Sequence, residues 1–257
     1  MSFTYIFAGF AVGLLVGMTG VGGGSLMTPL LTLQFGVSPA VAVGTDLAFA
    51  SITKGVGTVT HRLNGTVQWH IVRRLCFGAL PAAVVATLAL SHFGALNQEI
   101  GRVIRYTIAG SVLLTVIALL FRTRMLAWVH ASPGRQLHGS PLAAATIVSG
   151  AVLGTLVTVS SIGAGAIGAT LLVMLYPRLT PAEVAGTDIA YAVPLTAIAA
   201  LGHWWLGSID WMLLLTLLVG SVPGITLGAM AARIVPERFL RIVLALTLTT
   251  VAWKLIV

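Results

Sequence analysis

Gly20-Val21-Gly22-Gly23-Gly24-Ser25 interrupts a long apolar run near the start of the chain, and Ser161-Ile162-Gly163-Ala164-Gly165 interrupts another one. Shifted by 141 residues, Val21 falls on Ile162 and Gly24 on Gly165. After each break comes an apolar run of only about 11 residues, 25–35 and 166–176, where a membrane-crossing helix needs roughly 20. The similarity then continues at a shift of 142. Pro39 meets Pro181, Gly44-Thr45-Asp46 meets Gly186-Thr187-Asp188, His61 meets His203, Gly65 meets Gly207, Trp69 meets Trp211, Gly78 meets Gly220 and Pro81 meets Pro223. Polar and glycine positions kept in order over such a distance indicate an internal duplication.

Composition fixes the setting. Apolar residues make up 58% and charged residues 8% of the 257 positions, whereas soluble domains carry about 25% charged residues. The chain therefore reads as an all-α, polytopic membrane protein whose first partner is the lipid bilayer. The net charge of +8 is spread through short loops, without the basic block that grips nucleic acid. Cys76 is the single cysteine and no His-x3-His pair occurs, so neither a disulfide nor a metal site is expected. No cofactor motif is present, and no Walker sequence that would bind ATP. The first apolar run lacks a basic flank and a cleavage site, which reads as a span rather than a cleaved leader.

Lys and Arg placement orders the topology. If each break joins two full crossings, the repeats are parallel and the basic residues divide seven to six. If each break is the tip of a re-entrant hairpin, the division is ten to three, with only Arg102, Arg105 and Lys254 on the poorer side and Lys54 inside a span. The second parse predicts two inverted repeats, each a broken, re-entrant helical hairpin plus three transmembrane helices. Their bounds are 1–121 and 141–257, joined by a cytoplasmic linker at 122–140, with both termini outside.

Such breaks carry chemistry. Non-helical backbone at membrane depth is tolerated where it is buried in protein or lines a cavity. The short helix beyond each break opens with unpaired N–H groups and the positive end of its dipole, a fit for an anion. Candidate anion-binding residues are Gly22, Gly23, Gly24, Ser25, Thr45, Lys54, Ser161, Gly163, Gly165 and Thr187, with Ser160 as a further hydroxyl donor. The plainer alternative is that the glycines serve close helix packing. Asp46 and Asp188 lie within apolar helices. They read either as proton-coupling or gating groups or as carboxylates satisfied by backbone amides. Lys54 has Thr196 as its repeat partner and so breaks the symmetry. It is expected to meet an anion, to pair with Asp188, or to snorkel to the membrane edge. The His61…Gly65…Trp69 and His203…Gly207…Trp211 series read as boundary turns with interfacial tryptophans.

Taken together, Gly22-Gly23-Gly24, Ser38-Pro39, Gly44-Thr45-Asp46 and His61…Gly65…Trp69, with Thr180-Pro181, Gly186-Thr187-Asp188 and His203…Gly207…Trp211 as the second set, resemble the TauE/SafE family of sulfite and organosulfonate exporters. The resemblance implies a secondary transporter of the cytoplasmic membrane that moves a small sulfur-containing anion. This sequence departs from the family pattern at Ile162-Gly163-Ala164-Gly165, which stands in place of a triple glycine, and in carrying Asp after both Gly-Thr pairs. Two other classes stay open at this level: an intramembrane enzyme built on an Asp46–Asp188 dyad, and a passive anion channel. Assembly into a homo-oligomer is equally open.

Overall fold

A computed structural model of the chain describes residues 3–19, 24–94, 98–131, 137–231, 245–251 and 253–254. These include nine helices: α1 (Phe3–Thr19), α2 (Gly24–Gln34), α3 (Pro39–Leu63), α4 (Trp69–Phe93), α5 (Gln98–Ala131), α6 (Gly139–Ser160), α7 (Ala166–Leu175), α8 (Pro181–Trp205) and α9 (Trp211–Ala231). Residues 245–251 are also helical. Among the described residues, five segments are long and apolar enough to cross a membrane: α4, Gln98–Phe121 of α5, α6, α8 and Trp211–Gly228 of α9. Side chains such as Phe77, Val85 and Leu215 face outward, while Asp46, Asp188, Thr45, Thr187 and His203 are buried. That is the reverse of a soluble protein and suits a lipid surround. The α5 helix runs on to Ala131, so the polar stretch read as a linker from residue 122 begins as helix. Charged residues such as Arg122 and Arg124 end an apolar run without ending a helix, because Arg is a good helix former.

The helix boundaries follow from local chemistry. Pro39 and Pro181 occupy first helical positions, where a missing N–H costs nothing. Thr180 caps α8 in a reciprocal box: its hydroxyl accepts from the Glu183 amide at 3.3 Å, and its own amide donates to Glu183 Oε2 at 2.8 Å. Gly65 and Gly207 have φ of 66° and 68°, the left-handed geometry that ends a helix cheaply, and both turns lead directly into a tryptophan that opens the next helix.

The chain reverses between α6 and α7. Thr146 lies early in α6 and Tyr176 caps the far end of α7, yet their side-chain oxygens are 2.8 Å apart. Fourteen residues of helix separate Thr146 from the break, about 21 Å at 1.5 Å per residue, so α7 must run back along α6. The corresponding pair in the first half is Tyr5 and Phe35, at a shift of 141, and their rings lie 4.6 Å apart. Thus α1 and α2 also fold back on each other.

The duplicated sequence recurs as duplicated contacts, exchanged between halves. α1 packs on α9, and α6 packs on α4, while α3 and α8 pack on each other at the centre. Gly9 and Gly13 lie against the backbone of Leu217 and Ser221; their counterparts Gly150 and Gly154 lie against Leu75 and Ala79. In return Gly220 meets Ile6 and Phe10, and Gly78 meets Ile147 and Ala151. Without a hydrophobic force between helices in lipid, close approach through glycine supplies the dispersion contacts that hold such pairs.

Candidate functional site

The Gly-Thr-Asp segments are where the two halves interlock. Gly44 abuts the carbonyl of Ser208, and Gly186 abuts Thr66, each in the His turn of the opposite half. The next residue completes the joint. Thr45 Oγ1 accepts from the Asp210 amide, and Thr187 Oγ1 accepts from the Gln68 amide, both at 3.1 Å. Within the turns, His61 Nδ1 meets Thr66 Oγ1 and His203 Nδ1 meets Ser208 Oγ, both at 2.9 Å. His203 Nε2 also meets the Thr158 carbonyl at 2.9 Å, which ties the second turn to α6. Thr45→Val and Thr187→Val would each remove a part-buried hydrogen bond across the joint. Each is expected to lower stability by about 0.5–1.5 kcal/mol, and by similar amounts because the joints are copies. Unfolding midpoints in detergent measure this.

One helical step deeper, the third residue of each segment turns toward the short helix of its own half. Thr28 of α2 donates to Asp46 Oδ2 at 2.6 Å, and the Thr28 amide points to the same carboxylate. Asp188 sits at the start of α7, with its Oδ1 against Gly168 and the backbone amide of Gly165 directed at the carboxylate. A Cβ on Gly168 would collide with Asp188, so glycine here is what lets the carboxylate reach the helix end. Carboxylates at helix N-termini are stabilised by the dipole and the free amides.

The second break is shaped for this approach. Ser161 is left-handed with φ of 58°, and Gly163 and Gly165 have φ of 133° and 143°, values that only glycine adopts without strain. The Gly168 amide reaches the Gly163 carbonyl at 2.9 Å. Ser160 Oγ bonds Ser111 of α5 at 3.2 Å and accepts from the Ile162 amide at 3.2 Å, which anchors the turn. Lys54 crosses from α3 of the first half, and its Nζ donates to the Ala164 carbonyl at 2.8 Å. It therefore reaches the break and not the membrane edge. The direct ion pair seen among the described residues is a surface one, between Arg102 and Glu99.

Several polar atoms in this interior have no hydrogen-bond partner: Asp46 Oδ1, Asp188 Oδ1, Ser161 Oγ and Tyr191 Oη. Ser161 faces Asp46, and Tyr191 lies beside Gly168 and Asp188. Buried polar groups are ordinarily paired, so this cluster is poised for something further. A cavity of about 420 Å³ lies elsewhere, between α1, α2 and residues 247–254, with a mostly apolar wall.

Of the residues singled out in the sequence, Asp46, Asp188, Lys54, Ser161 and Gly165 come together. Gly163 shapes the turn and packs on Val157. Thr45 and Thr187 engage the His turns. Ser25 is buried in α2, and Gly24 opens that helix. Gly22 and Gly23 lie outside the described residues. Sequence reasoning missed Thr28 and Tyr191. Tyr191 stands three residues after Asp188, hence on the same helix face, and its repeat counterpart is Phe49. A hydroxyl gained beside a buried carboxylate was the available signal.

The family model described as "Sulfite exporter TauE/SafE" matches residues 5–255. The chain belongs to the TauE/SafE family. Similar proteins include Bacillus subtilis (strain 168) YjnA, named a probable membrane transporter protein, at 34% identity over the whole of both chains. Another is YdhB of the same organism, similarly named, at 30% identity over 93% of each chain. A Xylella fastidiosa (strain 9a5c) protein of the same description is 27% identical over 88% of this chain and 82% of its own. No solved structure matches. As a TauE/SafE protein the chain is a multi-pass membrane transporter and not an enzyme.

Proposed function

We propose that this protein is a secondary transporter for a small sulfur-containing anion such as sulfite, thiosulfate or an organosulfonate. The anion binds near the membrane midplane between the N-termini of α2 and α7. The observation that carries this reading is the second break, where an amide-bearing helix end, the Lys54 ammonium and unpartnered hydroxyls converge in the interior. An oxyanion needs such donors when it leaves water. The family description supports the substrate class.

In this reading 1–121 and 141–257 are inverted repeats, joined through a cytoplasmic linker within 122–140. The reversal of α1 on α2 and of α6 on α7 supports re-entrant hairpins, and so does the ten-to-three division of basic residues. Gly22, Gly23, Gly24 and Ser25 serve the anion from the first half, and Ser161, Gly163 and Gly165 from the second, with Lys54 reaching across. Thr45 and Thr187 support the site through the turns they hold. Asp46 and Asp188 couple or gate. Rocking of the hairpins against the central α3–α8 pair alternates access.

Counterflow in proteoliposomes tests this. Vesicles loaded with unlabelled thiosulfate or sulfonate should transiently accumulate the labelled anion, chemically unchanged. Flux that neither saturates nor accelerates by exchange would mean a channel, and no flux with any sulfur oxyanion would reject the reading.

A further inference from the structure

We propose that Asp188 is a built-in competitor for the anion, so that an anion binds together with a proton that neutralises Asp188. The inference rests on the anion-transport reading and assigns its coupling. Asp188 already occupies the place an anionic ligand would take: its Oδ1 lies against Gly168 in the first turn of α7, the Gly165 amide is directed at it, and the break beside it is where Lys54 Nζ holds the Ala164 carbonyl at 2.8 Å. Yet it holds this place incompletely. Its Oδ1 has no hydrogen-bond partner, and neither has the Tyr191 hydroxyl beside it. Asp46 Oδ1 is unpartnered too, but the Thr28 hydroxyl holds its Oδ2, and the repeat position of Tyr191 in the first half is Phe49.

The charges around Asp188 decide the outcome of anion entry. From α3 come Lys54 and Asp46. From α8 itself comes Tyr191, and from α4 Cys76, which bears on Tyr191. The helices α6 and α7 contribute no titratable side chain. Among the described residues Lys54 is thus the nearby positive charge, and one ammonium cannot balance both Asp188 and an incoming anion in a medium of low dielectric. A carboxylate left without its counter-charge there takes a proton instead. The proton adds to Asp188, whose neutral carboxyl can then donate to the Tyr191 oxygen or to the anion. The anion inherits Lys54 and the amide end. A sodium ion is a poorer solution, because the Lys54 ammonium would repel it. The asymmetry agrees: the first half has Phe49 where this cluster uses Tyr191, and the second half has Thr196 where it uses Lys54, so the device exists once.

The test is proton uptake on binding, using thiosulfate and methanesulfonate, neither of which titrates near neutral pH. Calorimetry of detergent-solubilised protein in Tris and Bis-Tris, cationic buffers of different ionisation enthalpy, counts the protons. Wild type should take up about one proton per anion, and by linkage binding should weaken as pH rises. Asp188→Asn should bind with no uptake and no pH dependence. Should this variant not fold, infrared difference spectra of wild type should still show a protonated-carboxyl band growing with anion, a band that survives Asp46→Asn. Binding without proton uptake, uptake unchanged in Asp188→Asn, or a band lost in Asp46→Asn would overturn the inference and leave the anion reading standing. No binding of either probe to wild type would overturn both.

Discussion

Lys54→Met is expected to cut anion flux about a hundredfold while the protein still inserts and elutes as a single species from a sizing column. A hydrogen bond to a charged group contributes about 1.5–3 kcal/mol, and each 1.4 kcal/mol is a factor of ten. Met keeps the length and apolar body of the side chain and removes the ammonium. The fold should tolerate this, because Lys54 is only half-buried and its hydrogen bond goes to a single backbone carbonyl, that of Ala164. Lys54→Arg is expected to restore part of the flux, since the charge remains although the planar guanidinium fits the break differently. Flux of Lys54→Met within a factor of two of wild type, at equal protein per vesicle, would remove Lys54 from the site.

Much of this is visible in the amino-acid order. The register shift that aligns Gly44-Thr45-Asp46 with Gly186-Thr187-Asp188 also aligns the contacts these residues make. The exception at Lys54 marks the asymmetric half of the site. What the order does not reveal is partnership between copies. A repeat shows that Thr45 and Thr187 are equivalent, but not that each binds the turn of the other half, because equivalence along a chain says nothing about exchange in space. Sequence alone therefore assigns both threonines to the anion, whereas their hydroxyls are bonded across the α3–α8 joint. Tyr191 escapes for another reason. In an apolar helix an aromatic residue reads as core, and Tyr191 is indeed fully buried within the hydrophobic core. Residues from 122 onward read as linker because hydropathy reports lipid exposure, whereas α5 remains helical to Ala131 after its apolar run has ended.

The interleaving also sets where the molecule is least tolerant. Gly78→Leu and Gly220→Leu are each expected to abolish recovery of folded, monodisperse protein from membranes. At both sites a Cβ would run into backbone: the Ile147 carbonyl and Ala151 amide for Gly78, and the Ile6 carbonyl and Phe10 amide for Gly220. Overpacking of a core usually costs about 1–3 kcal/mol, but that range assumes side chains that can move aside. Here the obstacle is helix backbone, so relief requires α4 to part from α6, or α9 from α1. Those are the contacts through which α1 and α6 pack on the opposite half. Gly110→Ala is the matched comparison, because a Cβ at that α5 position meets nothing within 4 Å, and Ala is the better helix former by about 1 kcal/mol. Size-exclusion profiles and thermal midpoints should therefore separate the two glycine classes sharply, with Gly110→Ala at or above wild type. If Gly78→Leu and Gly220→Leu proved as stable as wild type, the halves would not be interlocked through α4–α6 and α1–α9, and the proposed anion site would lose the fixed frame it requires.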